Sequence, residues 1–244
     1  MVRLMSVTDA GTTKVPRSDI ADTVLERLTT TYAAAADPER AAAMRAYMRD
    51  VTPFLGLPTP VRRALSRTVL AGVPRPDESD CAAIALRCWR LPEREYHYFA
   101  VDCLRRHVGR CTSGFLPVVR HLVSTVPWWD TVDALASHVV GGLVAADPKL
   151  KTEMDAWIVD DDLWIARTAL LHQLRYKERT DAERLFAYCL HQSGHPDFFI
   201  RKAIGWCLRE YAKTDPEAVR AFLAREQGRL APLSVREALK NIGA

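Results

Sequence analysis

The sequence predicts an all-α fold, an α-solenoid of HEAT-like helical repeats with a concave basic groove. Three observations predict it: recurring helix-start signals, helical apolar spacing between them, and short links. The clearest starts are Asp37-Pro38, Asp147-Pro148 and Asp215-Pro216. Aspartate accepts hydrogen bonds from the free N–H groups at a helix start, and proline suits the first helical position because it needs no donor there. Similar breaks stand at Thr59-Pro60, Leu91-Pro92 and His195-Pro196.

Between these marks the spacing predicts helices over 19–35, 38–50, 60–71, 77–90, 93–108, 115–124, 128–141, 148–158, 162–174, 181–191, 197–212, 215–227 and 233–241. No stretch alternates as a half-buried strand would. Glycine is scarce, at 11 of 244 residues, which favours helix over a strand-and-turn design. Links of a few residues make successive helices antiparallel neighbours. Weak self-similarity near 40 residues per unit favours stacked repeats; a compact helical bundle fits the same helix count. Residues 1–18 read as a flexible N-terminal tail and 19–244 as one domain.

Composition narrows the function. A hydrophobic fraction of 48% excludes a disordered chain. No apolar run reaches the roughly 18 residues of a spanning helix, and Met1 to Asp19 has no apolar core of the signal-peptide kind. The six cysteines form no C-x-x-C pair, and with the seven histidines they show no metal-ligand spacing, so neither a metal nor an organic cofactor is expected. The chain reads as a cytoplasmic monomer with reduced thiols and no membrane partner. The net charge of +4 is mild, so any nucleic-acid argument must rest on clustering rather than the total.

Three places break the helical pattern. In 197–212, Ile200, Ala203, Ile204, Cys207, Leu208 and Tyr211 form the core stripe. Trp206 lies about 200° from Ile204, at about 100° per residue. Phe199, Lys202, Trp206 and Arg209 share that other face, as an aromatic and cationic surface for a polyanion or as a second packing face. In Pro127–Asp133, Trp129 and Asp133 stand i, i+4 on one helix face. Asp130 reads as the N-cap, whereas Asp133 reads equally as a helix-start acid or a site residue. Arg167 is the one cation in the apolar run from Leu163 to Leu171; it needs either a structural carboxylate or a phosphate. Arg175, Lys177 and Arg201 add charge in the same half of the chain. Trp89, Trp157, Trp164, Tyr96, Tyr98 and Phe99 read as core. Gly141-Gly142 reads as a helix end rather than a phosphate cradle.

Four segments carry a resemblance: PFLGLPTPVRR at 53–63, WWDTVD at 128–133, ARTALLHQLRYK at 166–177 and DFFIRKAIGWCLREYAKTDPEAV at 197–219. In this order they resemble the bacterial DNA alkylation repair family, the HEAT-like-repeat alkylpurine DNA glycosylases. The match extends from about 38 to 225, with residues 1–20 outside it. The resemblance implies a monofunctional glycosylase that removes N3- and N7-alkylated purines from double-stranded DNA without flipping the base. It places the catalytic aspartate at Asp133, the two sugar-contacting tryptophans at Trp129 and Trp206, and a backbone-contacting arginine at Arg167. Phe198 and Phe199 match the family's aromatic pair, with Phe198 expected to pack. Lys202, Arg209 and Arg201 join Phe199 as expected DNA contacts. No lysine occupies the matched site, so lyase chemistry is not implied. The alternative is a non-catalytic DNA-binding or scaffold HEAT protein. Lesion-side residues before Pro53 are not matched, so adduct size, and general repair against self-resistance, stay open.

Overall fold

The computed structural model describes residues 14–241. Most of the expected tail lies outside these residues. Its end does not: Ser18 is buried, caps the first helix by accepting from the Ala21 N–H at 2.9 Å, and donates to Asp80 at 2.6 Å.

The described chain is helical throughout. Its α-helices are α1 (Asp19–Ala34), α2 (Pro38–Tyr47), α3 (Thr59–Val69), α4 (Glu78–Trp89), α5 (Arg94–His107), α6 (Leu116–Ser124) and α7 (Trp129–Ala134). They continue as α8 (Gly141–Ala146), α9 (Lys151–Trp157), α10 (Leu163–Leu171), α11 (Ala182–His191), α12 (Phe198–Tyr211), α13 (Pro216–Arg225) and α14 (Pro232–Ala238). The Asp-Pro signals work as the side-chain chemistry requires. Asp37 accepts from the Arg40 N–H at 3.0 Å and Asp215 from the Ala218 N–H at 2.9 Å, while Asp147 caps a short 3-10 turn ahead of α9.

The helices stack in two layers, as an α-solenoid does. In one layer α1 packs on α4 and α4 on α6; the row continues to α9 through Arg120 over the Trp157 ring, to α11 through Asp155 and Arg184, and to α13 through Phe186 stacked on Phe222. The other runs from α3 through α5, α7 and α10 to α12 and α14. One apolar core joins them, and it includes Trp89, Trp157, Trp164, Tyr96 and Phe99 as expected. Tyr98 is only half-buried and reaches the inner surface. All six cysteines are buried free thiols.

The predicted helix 128–141 is longer than its pattern suggested. Gly141-Gly142 does not end it. A π-helical stretch, Leu135–Val140, joins α7 to α8, so helical backbone runs to Ala146. Gly141 serves close packing instead: a Cβ there would stand 2.3 Å from the His172 carbonyl oxygen of the neighbouring helix. Packing, not capping, fixed this residue.

His172 and His97 are both 1% exposed, and burial pushes both imidazoles down to about 4. The unfolded chain binds protons on these groups below about 6.5, the folded chain only near 4. Stability therefore falls as pH drops through that window, by at most roughly 3 kcal/mol per histidine. Urea midpoints should fall steadily from pH 6.5 to 4, and His172→Gln should flatten that slope whatever it does to absolute stability. An unchanged slope in the variant would contradict the assignment.

Candidate active site

Asp133 stands where α7 passes into the π-helical stretch, a backbone form that often marks functional positions. Its carboxylate is met by a planar fork: Arg167 of α10 donates from Nε to one oxygen at 2.7 Å and from Nη2 to the other at 2.8 Å. Arg167 also donates from Nη1 to the Phe199 carbonyl in the first turn of α12. The guanidinium is 4% exposed and the carboxylate 12%. Burial raises the Asp133 pKa above its ordinary value, against the opposing pull of Arg167.

Trp129, Asp133 and Trp206 all line one open cleft of about 380 Å³. Trp129 opens α7, so the i, i+4 relation to Asp133 holds. Trp206 reaches the cleft from α12, half-buried, while Ile200, Ala203, Ile204, Cys207 and Leu208 of the same helix are buried. His138 also lines the cleft, its imidazole pushed down to about 4 by burial with Arg105 and Arg175 nearby. A largely buried carboxylate that shares its cleft with two indoles can stabilise a cation brought there.

The profile of DNA alkylation repair enzymes matches residues 28–242. The chain belongs to this family. It is also similar to a solved structure described as a predicted DNA alkylation repair enzyme from Enterococcus faecalis. That likeness has 33% identity and a TM-score of 0.79 over 85% of this chain and 97% of the other. No curated protein matches the chain.

Within this family member the other expected residues divide. Lys202 and Arg209 flank Trp206 in sequence, but both are ion-paired to Glu237 of α14, at 3.0 and 3.1 Å. Lys240 at 2.6 Å, with Lys202 beside it, holds the Glu237 carboxyl down to about 2. Gly205 lets α14 approach, since a Cβ would lie 2.5 Å from the Glu237 Cβ. Arg201 donates to the His195 carbonyl at 3.0 Å and steadies the loop before α12.

Two local expectations are reversed. Phe198 is not packed but 54% exposed. Phe199 is the inward ring, with centroids 5.0 Å from Trp128 and 5.1 Å from Trp164. The first turn of α12 points Phe199 into the gap between α7 and α10. Asp130 is not an N-cap either: Trp128 holds that position without a side-chain cap. Asp130 instead binds the buried Arg94 of α5 at 2.6 and 3.0 Å and accepts from the Tyr98 hydroxyl at 2.5 Å.

Sequence reasoning missed Arg94 and Tyr47. Arg94 sits where its neighbours are polar, so no pattern marked it as buried. Tyr47 is 77% exposed at the end of α2 and lines a cleft of about 540 Å³ that also shares Trp129 and Asp130 with the first. Arg49 and Asp50 just beyond it both have φ of 57°, which turns the chain out of the helix.

Removing one partner of the buried pair should cost more than removing both. Arg167→Met should lower stability by about 3–5 kcal/mol in urea denaturation, and adding Asp133→Asn should recover part of that loss. Additive losses would mean that the fork contributes no coupling.

Proposed function

We propose that this protein is a monofunctional DNA glycosylase hydrolysing the N-glycosidic bond of cationic N3- or N7-alkylated purines in duplex DNA. The observation that carries the proposal is the Asp133 carboxylate, forked by Arg167, in one open cleft with Trp129 and Trp206. Membership in the DNA alkylation repair family supports it.

The chemistry follows from the substrate. An N3- or N7-alkylated purine already carries positive charge, so it leaves as a neutral base without an acid to protonate it. As the C1′–N bond breaks, positive charge moves to the deoxyribose. Asp133 stabilises that oxocarbenium-like sugar and positions the attacking water; the indoles offer electron-rich faces to the same charge. The cleft is open rather than an enclosed pocket, which suits a base that stays stacked instead of being flipped out.

Arg167 takes a different emphasis from the one the resemblance implies. Its fork orients the carboxylate and keeps it charged in a nearly dry setting. The phosphate contact that the resemblance implies would fall to the one remaining N–H on each terminal nitrogen of a guanidinium that is 4% exposed. Lys202 and Arg209, ion-paired to Glu237, would contact a DNA phosphate while shared between it and that carboxylate.

Asp133→Asn should lower single-turnover release of 7-methylguanine or 3-methyladenine by about 10²–10³-fold or more, with duplex binding largely retained. Wild-type excision by this variant would sink the mechanism. Excision by neither protein, with duplex binding intact, would favour the non-catalytic DNA-binding reading. The wild-type rate should also fall on acidification through a value above the ordinary 3.8 of aspartate, since protonation removes the stabilising charge. A rate that stays flat on acidification to below 3.8 would contradict an essential Asp133 carboxylate. Including one bulky N3-adenine adduct in the substrate panel separates general repair from self-resistance.

A further inference from the structure

Among the cations singled out by sequence pattern, the side chains of Arg175, which lines the Asp133 cleft, and Lys177 have no hydrogen-bond or ion-pair partner among the described residues. The others are engaged within the protein: Arg167 with Asp133, Lys202 and Arg209 with Glu237, and Arg201 with the His195 carbonyl. A further set is free. Arg63 and Arg67 on α3, Arg75 in the α3–α4 loop, Arg106 on α5 and Arg110 just after it have no hydrogen-bond or ion-pair partner among the described residues. All five are exposed.

These five arginines line two adjoining clefts, of about 730 and 250 Å³, which share Leu70, Cys103, Arg106 and His107. Among the described residues the only lining carboxylate is Asp102, and Arg62 at 2.8 Å and Arg105 at 3.6 Å already occupy it. Next to the burial of its ring, the guanidiniums of Arg106, Arg110 and Arg75 push the His107 pKa down, so the positive field converges there. The protein's whole net charge is +4, yet five unneutralised guanidiniums collect in this one place.

The surface is continuous with the catalytic cleft. Asp133's cleft shares Trp129, Asp130 and Ala134 with the Tyr47 cleft. The Tyr47 cleft in turn shares Arg63 and Asp102 with the arginine trough. Adjoining clefts therefore follow one another from Asp133 across α5 and α3 to Arg110, the last of them opening between α1, α4 and α5. Clustered like charges repel one another and lower the stability of the folded state unless an anion neutralises them. A duplex presents one negative charge per about 1.7 Å of its axis, a regular polyanion that a row of forked donors fits.

We propose that the trough of Arg63, Arg67, Arg75, Arg106 and Arg110 is a second DNA anchor, which grips the phosphodiester backbone of duplex flanking the lesion. It rests on the glycosylase reading for its biological setting, not for its chemistry. The anchor is indifferent to damage and to sequence, because it touches phosphates and not bases. It divides labour in the molecule: the trough supplies affinity for any duplex, whereas the cleft around Asp133 supplies the response to an alkylated base.

The test is the triple variant R67Q/R106Q/R110Q, which leaves the cleft around Asp133 untouched. Binding of undamaged and alkylated duplexes of about 20 base pairs is measured from 50 to 300 mM salt, with melting temperature as the folding control. Both duplexes should bind at least about 10-fold more weakly at low salt. The slope of log affinity against log salt should shrink by up to about 2.7, or 0.9 per lost phosphate contact. Single-turnover excision at saturating DNA should stay within about twofold of wild type. A folded variant with the wild-type salt slope overturns the anchor while leaving the glycosylase reading intact. A wild type that binds duplex through these arginines yet excises nothing overturns the glycosylase reading and leaves the anchor standing.

Discussion

The Arg167–Asp133 pair is the interaction on which the candidate site depends. One guanidinium ties three helices: it forks onto the carboxylate of α7, rises from α10, and caps its reach on the Phe199 carbonyl of α12. A charge so buried is tolerated only when paired and hydrogen-bonded, so the pair fixes the spacing of these helices as much as they fix it. That spacing sets where Trp129 and Trp206 stand relative to the acid. A second buried pair, Arg94–Asp130, does the same one helix over, with Tyr98 closing the network. Both acids come from a single turn of α7, so that turn is held from either side by a forked arginine.

Much of this was legible in the sequence. Asp37 and Asp215 announce their helices because capping is local chemistry that needs no tertiary knowledge. Trp206 breaks the stripe of its own helix, and the structure puts it in the cleft with Asp133. What was not legible depends on partners distant along the chain. Glu237 lies 28 residues beyond Arg209, and nothing in the α12 pattern reveals that α14 supplies the counter-charge. Phe198 and Phe199 could be ordered only once the position of Trp128 and Trp164 was known. Gly141-Gly142 looked like a helix end because glycine's cost in a helix is local, while its benefit, the approach of the His172 carbonyl, is not. Asp130 has a good capping pattern, but Arg94 offers it more than a free N–H can.

The charge distribution carries the same lesson. Lys202 and Arg209 form a cationic stripe in sequence and an internal salt-bridge cluster in space. Arg63, Arg67, Arg75, Arg106 and Arg110 form no stripe in sequence, because they come from two helices, a loop and a turn. A net charge of +4 conceals both facts. Affinity for a polyanion follows the guanidiniums that lack carboxylate neighbours, not those that share a helix face with an aromatic ring.

The central claim is that Asp133 stabilises positive charge on the sugar. The most direct measurement is the affinity for duplexes in which the lesion nucleotide is replaced by a cationic pyrrolidine sugar mimic or by a neutral tetrahydrofuran. Wild-type protein should prefer the cationic mimic by at least about 100-fold, as expected for resemblance to a transition state, and Asp133→Asn should bring the two affinities within a few-fold. Equal wild-type affinity for both duplexes, or a preference that survives Asp133→Asn, would contradict the account.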